Sequence, residues 1–296
     1  MYLVHRIEEV AATYDDSRRT LAEYALREHA RLPELTIADV ARETYTSKAS
    51  VTRFAKALGF DGWRDFIREF VREDAFERQH AADVDVNFPF TAQDSDARIL
   101  ENIGNLMAES VAATYAQLDR GMLAMAVRHL QRAGRVWVFG RTPNHYCGES
   151  FCRKLLAIGR QATAVSPGEM GIVARSLGPD DCAIIISYSG NNADANPMAQ
   201  VGAMIANRVR LIVLTSGGNN YLRKTVPCVL TIASRERLYS KIANFSTEES
   251  VSYLLNVLFS CYFAREYEKN LQTKLVGGHA LEEERLAVLK EISERR

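Results

Sequence analysis

The sequence has few cysteines, no long apolar run and no excess of charge of either sign. Its five cysteines among 296 residues form no Cys-x-x-Cys pair, which indicates neither a disulfide framework nor a zinc ribbon. No run of about 18 apolar residues occurs, and the start lacks the basic region of a signal peptide, so we expect a cytoplasmic protein with no membrane contact. The 37 Lys and Arg residues balance 37 Asp and Glu residues. Any binding of nucleic acid must therefore depend on a local basic patch.

Length and periodicity predict two domains of different class. A single domain usually has about 100–200 residues. Apolar residues recur at helical spacing between residues 17 and 76, whereas short β-rich runs alternate with helical stretches after residue 99. The predicted fold is an all-helical bundle followed by a doubly wound, five-stranded parallel α/β sheet. The predicted segments are a helical domain 1–78, a linker 79–97, an α/β domain 98–270 and a charged C-terminal helix 271–296.

The helical and β-rich runs of the α/β domain also have predicted limits. A long helical pattern covers residues 99–130 and precedes the first strand. The five predicted strands are residues 135–139, 161–165, 182–187, 210–215 and 228–232.

Residues 37–60 have the pattern of a helix-turn-helix. Thr36 and Ser47 are suitable caps for helices over residues 37–43 and 48–58, and Gly59 provides the left-handed residue that ends the second. In such a unit the second helix enters the major groove of DNA, so its outward-facing residues are candidates for phosphate and base contacts. These candidates are Ser47, Lys48, Ser50, Thr52, Arg53 and Lys56.

The charge around this unit is only locally positive. Residues 41–64 contain five cations against two anions, whereas residues 1–80 contain 13 basic against 15 acidic residues. Affinity for DNA depends on the number of phosphates that are neutralised. One copy would bind weakly, so we expect a homo-dimer or tetramer.

The run from Ser47 to Trp63 resembles the N-terminal domain of the RpiR family of bacterial regulators. The resemblance rests on Ser47, Ala49, Val51-Thr52, Arg53-Phe54, Lys56, Leu58-Gly59-Phe60, Gly62 and Trp63. It implies that the chain binds a double-stranded DNA operator. The turn departs from the family, because Thr44, Tyr45 and Thr46 stand where such regulators often have a glycine. The alternative is a helical bundle without a DNA partner, whose cations only cover a solvated face.

A second motif lies at the end of the third predicted strand. Ser187-Tyr188-Ser189-Gly190 is followed by Asn191 and Asn192, which we expect to open a helix. Hydroxyl groups, a glycine and the free N–H groups of a helix N-terminus form a suitable anion site. The motif resembles the phosphate-binding turn of the SIS (sugar isomerase) domain, which RpiR-type regulators carry after the helix-turn-helix. An ordinary strand-to-helix turn is the alternative.

The first strand and the last helix extend this resemblance. The family's first strand ends in a Gly-x-Gly-x-Ser-like turn, whereas this chain has Gly140-Arg141-Thr142-Pro143-Asn144-His145. The segment after residue 240 resembles the family's last helix, which lies over the pocket, and it contains Glu248 and Glu249. The alternative is that these two residues only stabilise the helix N-terminus, where acidic side chains are favoured. The residues that the resemblance places around a phosphorylated sugar are Gly140, Arg141, Thr142, Asn144, Ser187, Ser189, Gly190, Asn191, Asn192 and Glu248.

These observations predict a bacterial transcriptional regulator of carbohydrate metabolism that responds to a phosphorylated sugar and needs no metal or cofactor. One alternative is a sugar-phosphate isomerase, for which His145, Glu149, Glu169 and Glu248 are nominal proton-transfer groups. Their spacing in the sequence indicates no catalytic pair, so we expect no enzymatic activity. A second alternative is a regulator whose α/β domain only dimerises.

Overall fold

A computed structural model describes residues 3–79 and 84–277 of the chain, which divide into two compact units. The first unit contains the described residues up to Ser110, together with Gly217–Asn219 and Ser234–Ser246. The second contains Val111–Ser216, Asn220–Ala233 and the described residues from Thr247 onwards. The chain therefore passes between the units several times, whereas the sequence analysis assumed one continuous segment for each domain.

The first unit contains five helices of the N-terminal region, and its buried side chains are mostly aliphatic and aromatic. Phe54, Phe66 and Leu58 are almost fully buried, and burial of such a side chain contributes about 1.5–3 kcal/mol. Phe66 also contacts the rings of Phe60 and Trp63. The helices are α1 (Leu3–Thr13), α2 (Ser17–Arg27), α3 (Ile37–Glu43), α4 (Lys48–Ala57) and α5 (Trp63–Gln79).

The segment Ser234–Ser246 is bound to α1 through polar groups that the sequence analysis did not identify. The buried carboxylate of Glu8 accepts hydrogen bonds from the backbone N–H groups of Leu238 and Ser240 at 2.5 and 3.2 Å. Nε2 of His5 lies 2.6 Å from the carbonyl oxygen of Glu236. Because an uncompensated buried carboxylate is costly, these bonds fix the segment against the helix.

The second unit has a five-stranded parallel sheet with the order β2-β1-β3-β4-β5. This confirms the predicted fold class, and each predicted strand boundary is correct to within one residue. All side chains of the central strand, Asp181–Ile186, are buried, as expected for a sheet covered on both faces. The strands are β1 (Arg135–Gly140), β2 (Ala162–Ala164), β3 (Asp181–Ile186), β4 (Arg210–Ser216) and β5 (Val229–Ile232).

The long helical pattern at residues 99–130 is two helices rather than one. The first helix ends at Gln117, and Asp119 caps the second by accepting hydrogen bonds from the N–H groups of Gly121 and Met122 at 2.7 and 3.0 Å. Helical spacing continues across this cap, so periodicity alone missed it. The helices from there onwards are α6 (Asp96–Gln117), α7 (Arg120–Arg132), α8 (Asn144–Leu156), α9 (Met170–Ser176), α10 (Val201–Ala206), α11 (Tyr221–Thr225) and α12 (Phe245–Phe263).

The predicted charged C-terminal helix, residues 271–296, is only partly covered. Residues 267–277 are helical, and residues 278–296 lie outside the described residues. Within residues 3–79 and 84–277, no helix is both long enough and apolar enough to cross a membrane.

Candidate DNA-binding and ligand sites

Both helices of the predicted helix-turn-helix begin at the caps that the sequence predicted. The hydroxyl of Thr36 accepts from the N–H of Asp39, whose carboxylate accepts from the N–H of Thr36, so α3 begins with a capping box. Ser47 accepts from the N–H of Ser50 at 3.0 Å and caps α4. The predicted range of the first helix is confirmed, and the second ends one residue before the predicted end. Local side-chain chemistry therefore fixes both starts.

Tyr45 occupies the left-handed position in the turn between these helices. Its φ is +53°, its N–H donates to the carbonyl of Arg42 at 3.3 Å, and the N–H of Thr46 donates to the carbonyl of Ala41 at 2.9 Å. This pair of hydrogen bonds is a Schellman motif, which usually has glycine at that position. The same motif ends α4, with Gly59 at a φ of +83°. The turn thus keeps its geometry without glycine.

The candidate DNA-contacting residues differ in exposure. Lys48, Arg53 and Lys56 are exposed. Thr52 is half-buried, and its hydroxyl donates to the carbonyl of Lys48 at 3.0 Å. The cations of α4 therefore lie on its open face, as does the exposed capping residue Ser47.

Ser50 is buried, whereas we expected it to face solvent. It is 7% exposed, and its hydroxyl lies 3.0 Å from that of Ser47 and accepts from the guanidinium of Arg53 at 3.0 Å. The physical reason is its place next to Val51 at the edge of the buried face of α4. Ser50 therefore orients Arg53 and Ser47, and its hydroxyl is already used within the protein.

An acidic residue, Asp16, lies near α4. Hydrogen bonds from Arg18 hold the pKa of Asp16 at about 2, and the charge of Arg53 contributes to this lowering. Asp16 is therefore ionised at neutral pH, and its charge partly offsets that of Arg53. This agrees with the slight excess of acidic residues in residues 1–80.

The two turns that the sequence predicts to bind a ligand lie side by side in the second unit. Gly140, the last residue of β1, pairs with Ile186, the last residue of β3, so the turns after these strands are neighbours at one edge of the sheet. Gly140 also lies tightly against the start of α8, since a Cβ there would be 3.2 Å from Cβ of Asn144. Arg141 and Thr142 are exposed, and Asn144 is half-buried. Ligands of parallel α/β proteins bind at this type of edge.

The turn after β3 is closed by its own residues. The hydroxyl of Ser187 accepts from the N–H of Gly190 at 3.3 Å. Gly190 has a φ of +62°, and a Cβ there would lie 2.4 Å from Oγ1 of Thr215. Only glycine fits this position without displacement. The half-buried Ser189 lies within the same turn.

The helix that we expected to begin at Asn191 and Asn192 is absent there, so that prediction is wrong. Oδ1 of Asn192 instead accepts from the N–H of Asp194 at 3.1 Å, and helical structure resumes only at Met198. Asn favours such turns, and Pro197 lacks the N–H that a helix interior requires. The groups available to an anion at this strand end are therefore hydroxyls and turn N–H groups, without a following helix N-terminus.

The start of α12 lies near α8. Sγ of Cys147 is 4.0 Å from Oγ of Ser252. Burial raises the pKa of the Cys147 thiol, and the nearby charges of Glu248 and Glu249 raise it further. The first turn of α12 therefore brings Glu248 to the same end of the unit as the β1–α8 turn.

His145 and Glu149 form a pair that the sequence analysis did not expect. Nε2 of His145 lies 3.5 Å from Oε1 of Glu149, one helical turn along α8. The side chain of His145 is 13% exposed, whereas that of Glu149 is 57% exposed. A contact with such an exposed partner contributes little to stability.

A cavity of about 550 Å³ lies elsewhere in the second unit, between the end of α6, α7 and α12. Its lining includes none of the predicted ligand residues. Its lining is mainly apolar and also contains Tyr115, Tyr253, Arg120 and Arg265. The cavity and the predicted ligand residues at the strand ends are therefore separate places in the second unit. Among the residues that the structure describes, no group of three His, Cys, Asp or Glu side chains could hold a metal ion.

Comparisons with known proteins identify relatives of both units. Residues 1–76 match the helix-turn-helix domain of the rpiR family. An uncharacterised helix-turn-helix-type regulator of Clostridium perfringens is 21% identical, over 93% of this chain and 97% of its own. A corresponding regulator of Escherichia coli K12 is 25% identical, over 85% of this chain and 88% of its own. These relatives cover both units.

Solved structures share the fold. NanR of Vibrio vulnificus, solved with ManNAc-6P, superposes with a TM-score of 0.59 and 20% identity, covering 95% of this chain and 98% of its own. The sugar isomerase domain of an RpiR transcription factor from Sphaerobacter thermophilus has a TM-score of 0.52 and 19% identity, covering 61% of this chain and 98% of its own. The second unit thus has the sugar isomerase fold.

Proposed function

We propose that the chain is an RpiR-type transcriptional regulator that controls genes of carbohydrate metabolism in response to a phosphorylated sugar. The match of residues 1–76 to the helix-turn-helix domain of the rpiR family supports this proposal. The DNA-binding element is α4, whose exposed Lys48, Arg53 and Lys56 reach a duplex. The effector site is the pair of neighbouring turns after β1 and β3. A dimer or tetramer of the chain binds a palindromic operator, since two α4 helices neutralise more phosphates than one.

The observation that carries the effector proposal is the adjacency of Gly140 and Ile186 at one sheet edge. It brings Asn144 and the Ser187–Gly190 turn together, and each hydrogen bond to a charged group contributes about 1.5–3 kcal/mol. Glu248 at the start of α12 adds an acceptor for sugar hydroxyls. NanR of Vibrio vulnificus, which has a similar fold, was solved with ManNAc-6P, which supports a sugar phosphate as the ligand class.

Genome-wide mapping of bound sites tests the regulator proposal. The wild-type protein is expected to occupy a small set of promoters, with a shared palindrome, beside genes of sugar uptake or breakdown. An Arg53→Ala protein of equal abundance serves as the control and should lose most of these sites. Sites beside unrelated genes would contradict the carbohydrate assignment but not DNA binding.

The sugar-phosphate isomerase remains a second candidate because His145 and Glu149 form a pair beside the proposed site. A histidine paired with a carboxylate is a common arrangement for proton transfer. Incubation of the purified chain with aldose and ketose phosphates tests it. We expect no turnover above that of a His145→Gln variant, and turnover lost in that variant would establish the enzyme.

Thermal unfolding distinguishes an effector-binding regulator from one whose α/β unit only dimerises. A ligand that binds only the folded state raises the melting temperature. We expect a rise with at least one sugar phosphate and none with the corresponding free sugar. No rise across a broad panel would favour the dimerisation-only regulator.

A further inference from the structure

Tyr45 combines an unfavourable backbone conformation with nearly complete exposure. It is 98% exposed, whereas the next most exposed large hydrophobic side chain among the described residues, Leu100, is 77% exposed. Its φ of +53° belongs to the left-handed region, which is unfavourable for residues other than glycine. Neither the exposed ring nor the disfavoured backbone conformation of Tyr45 stabilises the fold.

The same domain shows that glycine suits this backbone motif. The Schellman motif after α3 has Tyr45 at its left-handed position, and the motif after α4 has Gly59 in the same place with equivalent hydrogen bonds. A glycine at position 45 would keep both hydrogen bonds and remove the steric conflict. The fold therefore does not require the side chain of Tyr45, which indicates that this side chain contacts a binding partner.

The position of Tyr45 indicates what it contacts. It lies two residues before Ser47, the cap of α4, in the turn between the two helices of the helix-turn-helix. In such units the first helix crosses the DNA backbone and the start of the second contacts base edges, so the turn passes along the edge of the major groove. Tyrosine hydroxyls are among the common donors to DNA phosphates.

We propose that Tyr45 binds the sugar-phosphate backbone of the operator, its phenol donating to a phosphate oxygen and its ring covering the adjacent sugar. This inference rests on the proposed DNA-binding function and adds a residue to it. The contact is neutral and carries no sequence information. It therefore strengthens binding to all duplexes equally and leaves the salt dependence of binding unchanged.

The test compares Tyr45→Phe, Tyr45→Ala and Tyr45→Gly with the wild type in fluorescence-anisotropy titrations. The duplexes are the operator found by genome mapping and a scrambled sequence, at several salt concentrations. Tyr45→Phe should weaken binding about three- to tenfold, as for one neutral hydrogen bond, and Tyr45→Ala and Tyr45→Gly at least as much. The loss should be equal for both duplexes and constant with salt.

Arg208→Gly is the matched control for the backbone change. Arg208 has a φ of +57° and occupies the same motif after α10, with N–H bonds from Arg208 and Val209 to the carbonyls of Ile205 and Met204. Neither Tyr45→Gly nor Arg208→Gly should lower the melting temperature, because glycine fits both positions. Only Tyr45→Gly should weaken DNA binding.

Several outcomes would overturn the proposal. Wild-type affinity in Tyr45→Ala and Tyr45→Gly, while Lys48→Ala binds more weakly, would show that Tyr45 makes no DNA contact although the proposed function stands. A loss confined to the operator would indicate a base contact instead, and a changed oligomer in sedimentation would indicate a contact between copies. If the wild-type chain bound neither duplex, the DNA-binding function itself would fail together with this inference.

Discussion

His5 is a buried histidine whose protonation opposes folding. It is 1% exposed, and burial lowers its pKa from 6.5 to about 4. Because the carbonyl of Glu236 can only accept, Nε2 carries the proton of the neutral ring. Below pH 6.5 the unfolded chain takes up a proton at His5 that the folded chain does not. The free energy of unfolding therefore decreases as the pH falls from 6.5 towards 4.

We therefore predict that the free energy of unfolding falls between pH 6.5 and 4 by about 3 kcal/mol more in the wild type than in His5→Gln. Urea unfolding at several pH values measures it, and carboxylates that titrate in the same range cancel in the difference. Trp63 fluorescence in a Trp137→Phe background reports on the first unit, since the chain has two tryptophans. Identical pH profiles for the two proteins would contradict the buried, neutral His5.

Gly190 and Gly202 should respond oppositely to substitution by alanine. At Gly190 a Cβ would approach Oγ1 of Thr215 to 2.4 Å in a left-handed conformation, so Gly190→Ala should destabilise the protein by about 2–4 kcal/mol. Gly202 lies within α10 with no atom near its Cβ position, so Gly202→Ala should stabilise it by about 0.5–1 kcal/mol. Urea unfolding of both variants measures the changes. Similar changes of one sign would show that the β3 turn is not closed as described.

At the scale of elements, the helix-turn-helix was predictable because its limits are encoded locally. Thr36, Ser47 and Gly59 each act on the nearest turn of backbone, and each does so as predicted. The parallel strands were equally predictable, since buried strands have continuous apolar sequences. Elements whose ends depend on such residues can be located without tertiary information.

The features that the sequence analysis predicted wrongly or missed have a different physical origin. Helical spacing continued across Asp119, so one pattern concealed two helices. Asn192 and Pro197 favour a turn where the sequence analysis predicted the start of a helix. The bonds of Glu8 to Ser234–Ser246 join residues more than 200 positions apart, which no local pattern specifies. The ligand-site residues and the effector are still predictions.

The exposed cations of α4 make a prediction at this scale. If Lys48 contacts a phosphate, Lys48→Ala should weaken binding to operator and scrambled DNA alike and reduce the slope of log affinity against log salt by about 1. Arg53→Ala should cost about 1–3 kcal/mol, mainly on the operator, if its guanidinium contacts a base. Titrations at several salt concentrations measure both effects.

Lys269→Ala provides the control, because Lys269 is an exposed cation of the second unit paired with Glu266. It should alter neither the affinity nor the slope. Equal behaviour of all three variants would mean that α4 is not the DNA-binding element.

At the scale of the molecule, the proposed function requires that a ligand in the second unit changes the DNA affinity of the first. Three segments of the chain connect the units covalently. They are α6, which continues past Ser110, the short segment Gly217–Asn219 after β4, and Ser234–Ser246, which follows β5 and is bound to α1 within the first unit. A ligand shifts DNA binding only as far as it prefers one arrangement of the protein over the other.

The most direct test of the account is a titration of the protein–operator complex with sugar phosphates, ManNAc-6P among them, followed by anisotropy. At least one should change operator affinity by about 5–150-fold, whereas its unphosphorylated sugar should have no effect. Ser189→Ala should shift the response to about 10–100-fold higher ligand concentration, and Ser176→Ala, at the end of α9, should respond as the wild type. Unchanged operator affinity across the whole panel would contradict the claim that this regulator senses a sugar phosphate.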